Sequence, residues 1–505
     1  MATNVMHQAP QETLRTAPVE MTGDVFRAAG HELVERLAEH LATLSTKRVM
    51  PSEQPDEIRR ILAAEAKLPE SGTDPEDLLR HATDLLLQYS THIAHPRFLG
   101  YITSGGTPLG SLAELLAAAV NPNVGAWKLS PMATEMEAQT VRWIAELIGF
   151  PSGCGGLLVS GGNMANFLGV FAARAAKATW DIRRTGMAGE GSRPMRIYAS
   201  TQTHTWVQKA ADLAGLGTDA IRWIPTGTGQ RAEIAALRQM LREDLDQGHL
   251  PMMVVGTAGS VSTGAVDPLP GMAEFCRSEN LWFHVDGAYG AIAAGVPGAP
   301  ADIEGLREAD SLALDPHKWL YSPLEAGCAL VRRPEDLLRA FSYHPPYYNF
   351  EVEALNYFDY GMQNSRGFRA LKVWLGLQQA GRSGVHQMIA EDIELAEMLF
   401  QELREHAEFE MFTRSLSIAT FRYVPRELRS KTGEAPTEEY LNRLNQALLD
   451  EIEKSGEAFL SQAVLDGTFL LRACVVNFRT AAADMKALPG IIATLGAKTH
   501  SALKT

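Results

Sequence analysis

The chain has 505 residues, enough for about three domains of ordinary size. Apolar residues make up 46% of it and charged residues 21%, so the composition predicts a folded protein with a large core. The net charge of −14 argues against nucleic acid or an anionic membrane as the main partner. A small anionic substrate stays possible, because a site can be locally positive.

Four cysteines are widely scattered along the chain, at Cys154, Cys276, Cys328 and Cys474. They form no CxxC pair or Cys/His cluster, and His92 and His95 have no thiol or carboxylate neighbour, so we expect no metal site. So few cysteines favour a reducing cytoplasm. The longest apolar runs stay below eighteen residues, so we expect no membrane span.

The N-terminal part divides into an arm and a helical segment. Residues 1–22 are mostly polar, carry Pro10 and Pro18 and lack a signal-like apolar stretch, so we expect a disordered arm. Apolar residues at helical spacing predict helices over 25–44 and 77–91. This segment, 23–94, is too small to bury its own faces, and we expect it to pack on a partner subunit.

Between residues 95 and 384, short β-rich runs alternate with helical stretches. This alternation predicts βαβ units, an α/β fold and a mostly parallel sheet. The predicted strands cover 156–160, 196–200, 220–224, 252–257, 281–285, 311–314 and 327–331. The helices predicted between them cover 165–178, 206–214, 234–247 and 272–279.

The C-terminal part, 385–505, has a different pattern. A helix over 385–405 is followed by β-like runs at 416–423 and 468–477, around another helix at 438–454. This pattern predicts a separate small α+β domain.

Lys318 and Asp286 each stand at the end of a predicted strand, where ligands bind in parallel sheets. An amine and a carboxylate so placed are what pyridoxal phosphate requires. The lysine holds the cofactor as a Schiff base, and the aspartate pairs with its pyridinium nitrogen.

Ser160-Gly161-Gly162-Asn163 follows a predicted strand and opens a helix, so its backbone N–H groups can approach a phosphate. The absence of a following Gly-Lys-Ser/Thr excludes a nucleotide P-loop. His204, just past another strand, is either an ordinary loop histidine or a ring lying flat on the cofactor.

Several separate motifs in order resemble the group II pyridoxal-phosphate-dependent amino-acid decarboxylases, which include aromatic-L-amino-acid, tyrosine, tryptophan and glutamate decarboxylases. The resemblance runs from about residue 23 to 484. The motifs are His-Pro-Arg-Phe at 95–98, Ser-Pro-Met-Ala-Thr-Glu at 130–135, His-Val-Asp-Gly-Ala-Tyr at 284–289, Asp-Pro-His-Lys-Trp at 315–319 and Leu-Arg-Ala-Cys-Val-Val-Asn-Phe-Arg-Thr at 471–480.

This resemblance implies a fold type I, PLP-dependent transferase-like architecture with a seven-stranded sheet, and a homodimer with active sites at its interface. Lys318 would then be the Schiff-base lysine, Asp286 the pyridinium partner and His204 the stacking ring. The other cofactor-binding positions that it implies are Gly161, Gly162, Asn163, Ala288, Asp315 and His317. Asp315 replaces an Asn common in the family. Val261 replaces a Thr, whose hydrogen bond Ser260 or Ser262 could supply.

Residues 341–361 resemble the family's mobile catalytic loop. Counting back without gaps from the Arg-Gly-Phe-Arg motif at 366–369, Tyr357 aligns with the tyrosine that protonates the substrate α-carbon. Aldehyde-forming members tend to carry Phe there. Tyr347 and Tyr348 lie in the same loop and could take the role instead.

Tyr101, Ile102, Thr103 and Ser104 align with the segment that lines the substrate side chain in aromatic-acid members, and Trp127 is expected nearby. Gly125 replaces a bulky Phe and Thr103 a Pro, which predicts a larger or more polar pocket.

The resemblance thus implies a carboxy-lyase that converts an L-amino acid, preferably aromatic, to its amine and CO2. Three alternatives stay open: oxidative deamination to an aldehyde, an acidic or diamino acid as substrate, and a non-catalytic PLP-binding protein.

Overall fold

The computed structural model describes residues 17–344 and 354–504. The chain divides into two compact units, the first ending at His92 and the second beginning at Ile93. Most of the predicted arm, 1–22, lies outside the described residues. No helix in the described ranges combines the length and the apolar character needed to cross a membrane.

The described part of the first unit, from residue 17 onward, contains three α-helices: α1 (Gly23–Thr43), α2 (Pro55–Ile61) and α3 (Pro75–Tyr89). Helices α1 and α3 begin at capping side chains, since the Thr22 hydroxyl accepts from Val25 N–H and the Asp74 carboxylate accepts from two N–H groups of α3. Arg80 joins the two helices through Glu32, with Nε and Oε1 2.9 Å apart. Both helices agree with the predicted ranges to within two residues at each end.

The second unit is built on a seven-stranded sheet with the order β1-β7-β6-β5-β4-β2-β3. Strands β6, β5, β4, β2 and β3 are parallel to one another, whereas β7 pairs antiparallel with both β1 and β6. The strands are β1 (Gly155–Val159), β2 (Met195–Ser200), β3 (Ile221–Ile224), β4 (Leu250–Thr257), β5 (Trp282–Asp286), β6 (Ser311–Leu314) and β7 (Gly327–Val331). The predicted α/β fold is confirmed, and each predicted strand matches within two residues at either end.

Helices cover both faces of this sheet, because its strands are apolar on both sides. On β4, for example, Val254 packs into one core cluster while Met253 and Val255 pack into another. The helices of the second unit are α4 (Pro108–Val120), α5 (Pro131–Leu147), α6 (Gly162–Lys177), α7 (Ile182–Thr185), α8 (Trp206–Leu213), α9 (Ile234–Asp246), α10 (Leu269–Ser278), α11 (Pro316–Trp319), α12 (Pro334–Phe341), α13 (Ala370–Glu405), α14 (Ala435–Ser455) and α15 (Ala482–Lys504).

A second sheet follows α13. It has four antiparallel strands in the order β10-β11-β9-β8: β8 (Phe409–Ser415), β9 (Ile418–Tyr423), β10 (Ser461–Leu465) and β11 (Thr468–Cys474). The sequence predicted only β9 and β11 of these. Strand β8 is half-buried along most of its length, and β10 alternates buried and open positions, so neither has a continuous apolar run.

A buried ion pair holds the chain segment around Arg366 to the large sheet. Arg366 donates to the Glu137 carboxylate of α5 and to the Leu158 carbonyl of β1, and both side chains are fully buried. Arg366 also donates to the Val124 carbonyl. Because burying either charge alone is costly, this pair ties three parts of the chain together.

Candidate active site

The carboxyl ends of the central strands open into one cavity of about 330 Å³. Such an edge is where a parallel sheet brings side chains from distant parts of the chain together. The nine predicted cofactor-binding residues all line this cavity: Gly161, Gly162, Asn163, His204, Asp286, Ala288, Asp315, His317 and Lys318.

Lys318 lies on the short helix α11, directly after β6. Its Nζ is 2.9 Å from Oδ2 of Asp315, the residue that immediately precedes this helix. The lysine side chain is 23% exposed and the aspartate side chain 2%, so the amine faces the cavity while its counter-ion is buried. The other oxygen of Asp315, Oδ1, is buried and has no hydrogen-bond partner among the described residues.

Asp286 ends β5 and is 6% exposed. Its Oδ2 accepts a hydrogen bond from the Trp206 indole at 2.7 Å, and its Oδ1 accepts from the Ala288 N–H at 3.2 Å. The Ala288 carbonyl in turn accepts from the Asp315 N–H, which links the ends of β5 and β6. The carboxylate is therefore anchored through both oxygens at the wall of the cavity.

Two histidines line the cavity. Burial lowers the pKa of His204; the neighbouring Asp286 opposes this shift, and the charge of Lys318 adds to it. Burial also lowers the pKa of His317, against the opposing effect of Asp315. Both rings are thus favoured as neutral groups near neutral pH, suited to stacking and hydrogen bonding.

The predicted phosphate cradle is a close-packed turn. Gly161 has φ of +140°, a backbone conformation that favours glycine, and Gly162 begins the sixteen-residue helix α6. A Cβ on Gly162 would lie 2.7 Å from Asp315 Oδ2 and 3.2 Å from the Ala288 Cβ. The residues fit pyridoxal phosphate: an amine, a buried carboxylate, a neutral imidazole and a helix N-terminus face one cavity.

The four predicted substrate residues do not all lie at the cavity. Of Tyr101, Ile102, Ser104 and Trp127, only Ile102 lines the cavity as the structure describes it. Tyr101 is exposed, and the Ser104 hydroxyl donates to the His317 carbonyl at 3.1 Å. Trp127 donates through its indole to Glu135 and through its backbone to the Asn356 side chain.

Gly125 does not enlarge the pocket, contrary to our expectation. A Cβ at this position would lie 2.0 Å from the backbone oxygen of Asn364. The glycine is required by the close approach of another segment of main chain, and it leaves no space that a substrate could occupy.

Tyr357 does not reach the cavity. It is 1% exposed and belongs to the same core cluster as Met253 and Val255. The central carbon of the Arg366 guanidinium lies 4.6 Å from the centroid of the Tyr357 ring. Burial raises the pKa of its hydroxyl well above the usual value, and Glu137 adds to this. The prediction that Tyr357 supplies a proton there does not agree with this position. Tyr347 and Tyr348 lie outside the described residues.

Trp206 was missed by the sequence analysis, although it touches Asp286. It stands two residues after His204 and begins α8, so the local pattern identified it only as the first residue of a helix. Its partner is 80 residues further along the chain. The only available signal was its position beside a strand end that already carried a predicted site residue.

The pyridoxal-dependent decarboxylase conserved domain matches residues 55–424. The chain belongs to this family. It is an amino-acid carboxy-lyase that depends on pyridoxal 5′-phosphate.

Three similar proteins place the chain within the family. It is 34% identical to an aromatic-L-amino-acid decarboxylase from Bacillus atrophaeus, over 92% of this chain and 94% of that protein. It is 29% identical to a phenylacetaldehyde synthase from a Rosa hybrid cultivar, over 89% of each chain. The crystal structure of Oryza sativa TDC with PLP and tryptamine has a TM-score of 0.87 and 26% identity, covering 96% of this chain and 99% of that one.

We predict that Gly162→Ala weakens pyridoxal-phosphate binding about tenfold to a hundredfold, because the added methyl group must displace Asp315 or Ala288. The affinity is measured by titrating the apoprotein with the cofactor. Gly376→Ala is the matched control, since a Cβ at this helical position meets nothing within 4 Å. Unchanged affinity in Gly162→Ala would contradict the assignment of the cradle.

Proposed function

We propose that this cavity decarboxylates an aromatic L-amino acid to the corresponding amine and CO2. The observation that carries this proposal is the convergence of Lys318, Asp286 and His204 on one cavity beside a glycine-rich helix start. When bound, pyridoxal phosphate supplies an electron sink for the pair of electrons left behind when the carboxylate departs as CO2.

Each residue of the chain then has a defined task. Lys318 would hold pyridoxal phosphate through its amine and would be available to take it up again as the product leaves. Asp286, anchored through both oxygens, keeps a negative charge beside the ring nitrogen and so favours its protonated form. His204 would stack against the ring, and the N-terminus of α6, with Gly161, Gly162 and Asn163, would hold the phosphate.

The walls of the cavity support an aromatic side chain. Ile102, Met164, Val261 and Leu324 give it apolar surface. Among the described residues that line it, Lys318 is the only Lys or Arg, so an acidic side chain would lack a dedicated cation. The Bacillus relative and the tryptamine-bound Oryza structure carry names that agree with this substrate class. Acidic and diamino acids are the alternatives.

A screen of the common amino acids for CO2 and amine release tests this function. We expect release from one or more aromatic acids, and none from the Lys318→Ala variant. Borohydride reduction of the holoprotein should label Lys318 and leave that variant unlabelled. Turnover by purified Lys318→Ala would overturn the scheme, and release only from acidic or diamino acids would overturn the aromatic assignment.

The proton returned to the substrate α-carbon needs another donor than Tyr357. We infer that Tyr347 or Tyr348 supplies it, because the position of Tyr357 under Arg366 keeps its hydroxyl out of the cavity. This donor also bears on the rival activity. The similarity to a phenylacetaldehyde synthase keeps aldehyde formation open, and a tyrosine that protonates the carbon favours the amine.

Three variants separate these roles: Tyr347→Phe, Tyr348→Phe and Tyr357→Phe. We expect one of the first two to lower amine formation by about a hundredfold or more, with aldehyde and peroxide appearing instead. Tyr357→Phe should keep amine as its product, since its ring packing is retained. Products are quantified by amine, aldehyde and peroxide assays. Loss of amine only in Tyr357→Phe would restore the original alignment.

We propose that the protein is a cytoplasmic homodimer. The cytoplasmic location rests on the four unpaired cysteines. The dimer rests on α4, which exposes four large apolar side chains by 50% to 67% each: Leu112, Leu115, Leu116 and Val120. A contiguous apolar face of this kind on a soluble protein marks an interaction surface, and a second copy is the occupant we propose.

Sedimentation velocity tests the dimer. We expect a mass of twice the 55.1 kDa of one chain, and a shift towards monomer in Leu116→Asp, because a charge would be buried in the interface. Leu213→Asp is the control, since this residue is similarly exposed but lies on α8. A wild-type mass of one chain, or equal behaviour of the two variants, would refute this surface.

A further inference from the structure

We propose that Trp206 is a positioning residue for Asp286, acting on the cofactor's ring nitrogen through that carboxylate. The inference rests on the proposed binding of pyridoxal phosphate in this cavity. The indole Nε1 lies 2.7 Å from Asp286 Oδ2, in a hydrogen bond between two buried side chains. Trp206 itself is 1% exposed.

The two groups that donate hydrogen bonds to Asp286 indicate how the contact with Trp206 acts on this carboxylate. An indole N–H and a backbone N–H can only donate, so both oxygens of Asp286 act as acceptors. Two acceptor oxygens are the hydrogen-bonding pattern of an ionised carboxylate. One donor on each oxygen also fixes the plane of the group, and the donors offset part of the cost of burying its charge.

Trp206 is itself held in place by a second buried ring, that of His284. The His284 ring meets the indole edge-on, with centroids 5.5 Å apart and planes at 74°. His284 is fixed in turn by Asn166 of α6 and Ser311 of β6, each 2.7 Å from one of its ring nitrogens. Burial lowers the pKa of His284 to about 4, so near neutral pH the ring adds no charge behind the indole.

The network therefore connects the two ends of the proposed cofactor site. Asn166 lies one turn into α6, the helix whose first residues form the phosphate cradle. From there the contacts run through His284 and Trp206 to Asp286. These contacts link the cradle and the carboxylate through buried side chains, and Trp206, which also lines the cavity, is the member of the network that touches Asp286.

The test compares two probes that differ at the ring nitrogen: pyridoxal 5′-phosphate and its carbocyclic analogue with C–H in place of that nitrogen. Apoprotein is titrated with each, and the absorbance of the bound probe gives both dissociation constants. For Trp206→Phe, we expect affinity for pyridoxal phosphate to fall about tenfold or more while affinity for the analogue changes little.

The matched control is Trp374→Phe. It also removes an indole donor, here 2.7 Å from Gln139 Oε1, and neither residue belongs to the network that holds Trp206. We expect the ratio of its two dissociation constants to equal that of the wild type. A merely structural role for Trp206 would instead weaken both probes equally, and that result would overturn the inference.

The two proposals fail in different ways. If the wild-type protein does not bind pyridoxal phosphate, the proposed function fails. If it binds and Trp206→Phe has an unchanged ratio, only the role of Trp206 fails. If Trp206→Phe does not fold, the ratio is measured for Trp206→His and Trp206→Leu, which have and lack a ring N–H. Equal ratios there would also refute the proposal.

Discussion

The burial of two carboxylates at one edge of the sheet is the constraint on which this site depends. Asp286 ends β5 and Asp315 follows the neighbouring strand β6, so the topology brings both to the same cavity. A carboxylate buried without partners costs several kcal/mol, in the range of about 3–5 kcal/mol when a pair is broken. Asp315 is compensated by the Lys318 ammonium, whereas Asp286 is compensated by two neutral N–H donors.

This difference separates the tasks of the two acids. The charge of Asp315 is already matched by a cation, so it can orient the lysine but offers little to a ligand. The charge of Asp286 has no cation beside it within hydrogen-bonding distance among the described contacts, so it is available to a cationic group that enters the cavity. A protonated ring nitrogen would be such a group. The different partners of the two carboxylates therefore explain why Asp286, and not Asp315, is suited to pair with it.

An acidic residue beside a phosphate cradle needs an explanation of its own. Asp315 packs so close to Gly162 that a methyl group there would lie within 2.7 Å of its oxygen. The position is the N-terminus of α6, where the helix dipole favours negative charge. The same dipole that would favour a phosphate thus helps to accommodate this carboxylate, and the pairing of Asp315 with Lys318 reduces the negative charge that a phosphate would meet.

Much of this arrangement could be predicted from the sequence, because the seven strands are short apolar runs and the polar residues after them are local signals. Contacts between distant segments could not be predicted. Trp206 joins Asp286 across 80 residues, and Gly125 is required by the main chain at Asn364. Tyr357 was assigned by counting along a loop, and counting carries no information on burial.

The residues aligned with the substrate pocket also act differently from what alignment alone implies. Ser104 bonds to the carbonyl of His317, the residue before Lys318, and Trp127 is held through its backbone by Asn356. Ile102 alone of that set faces the cavity. The segment 101–104 therefore contributes in two ways to the structure of the cavity: Ile102 forms part of its apolar wall, and Ser104 holds the main chain next to Lys318. Substitutions there cannot be interpreted as changes in substrate contact alone, because Ser104 acts on α11 and only through it on the amine.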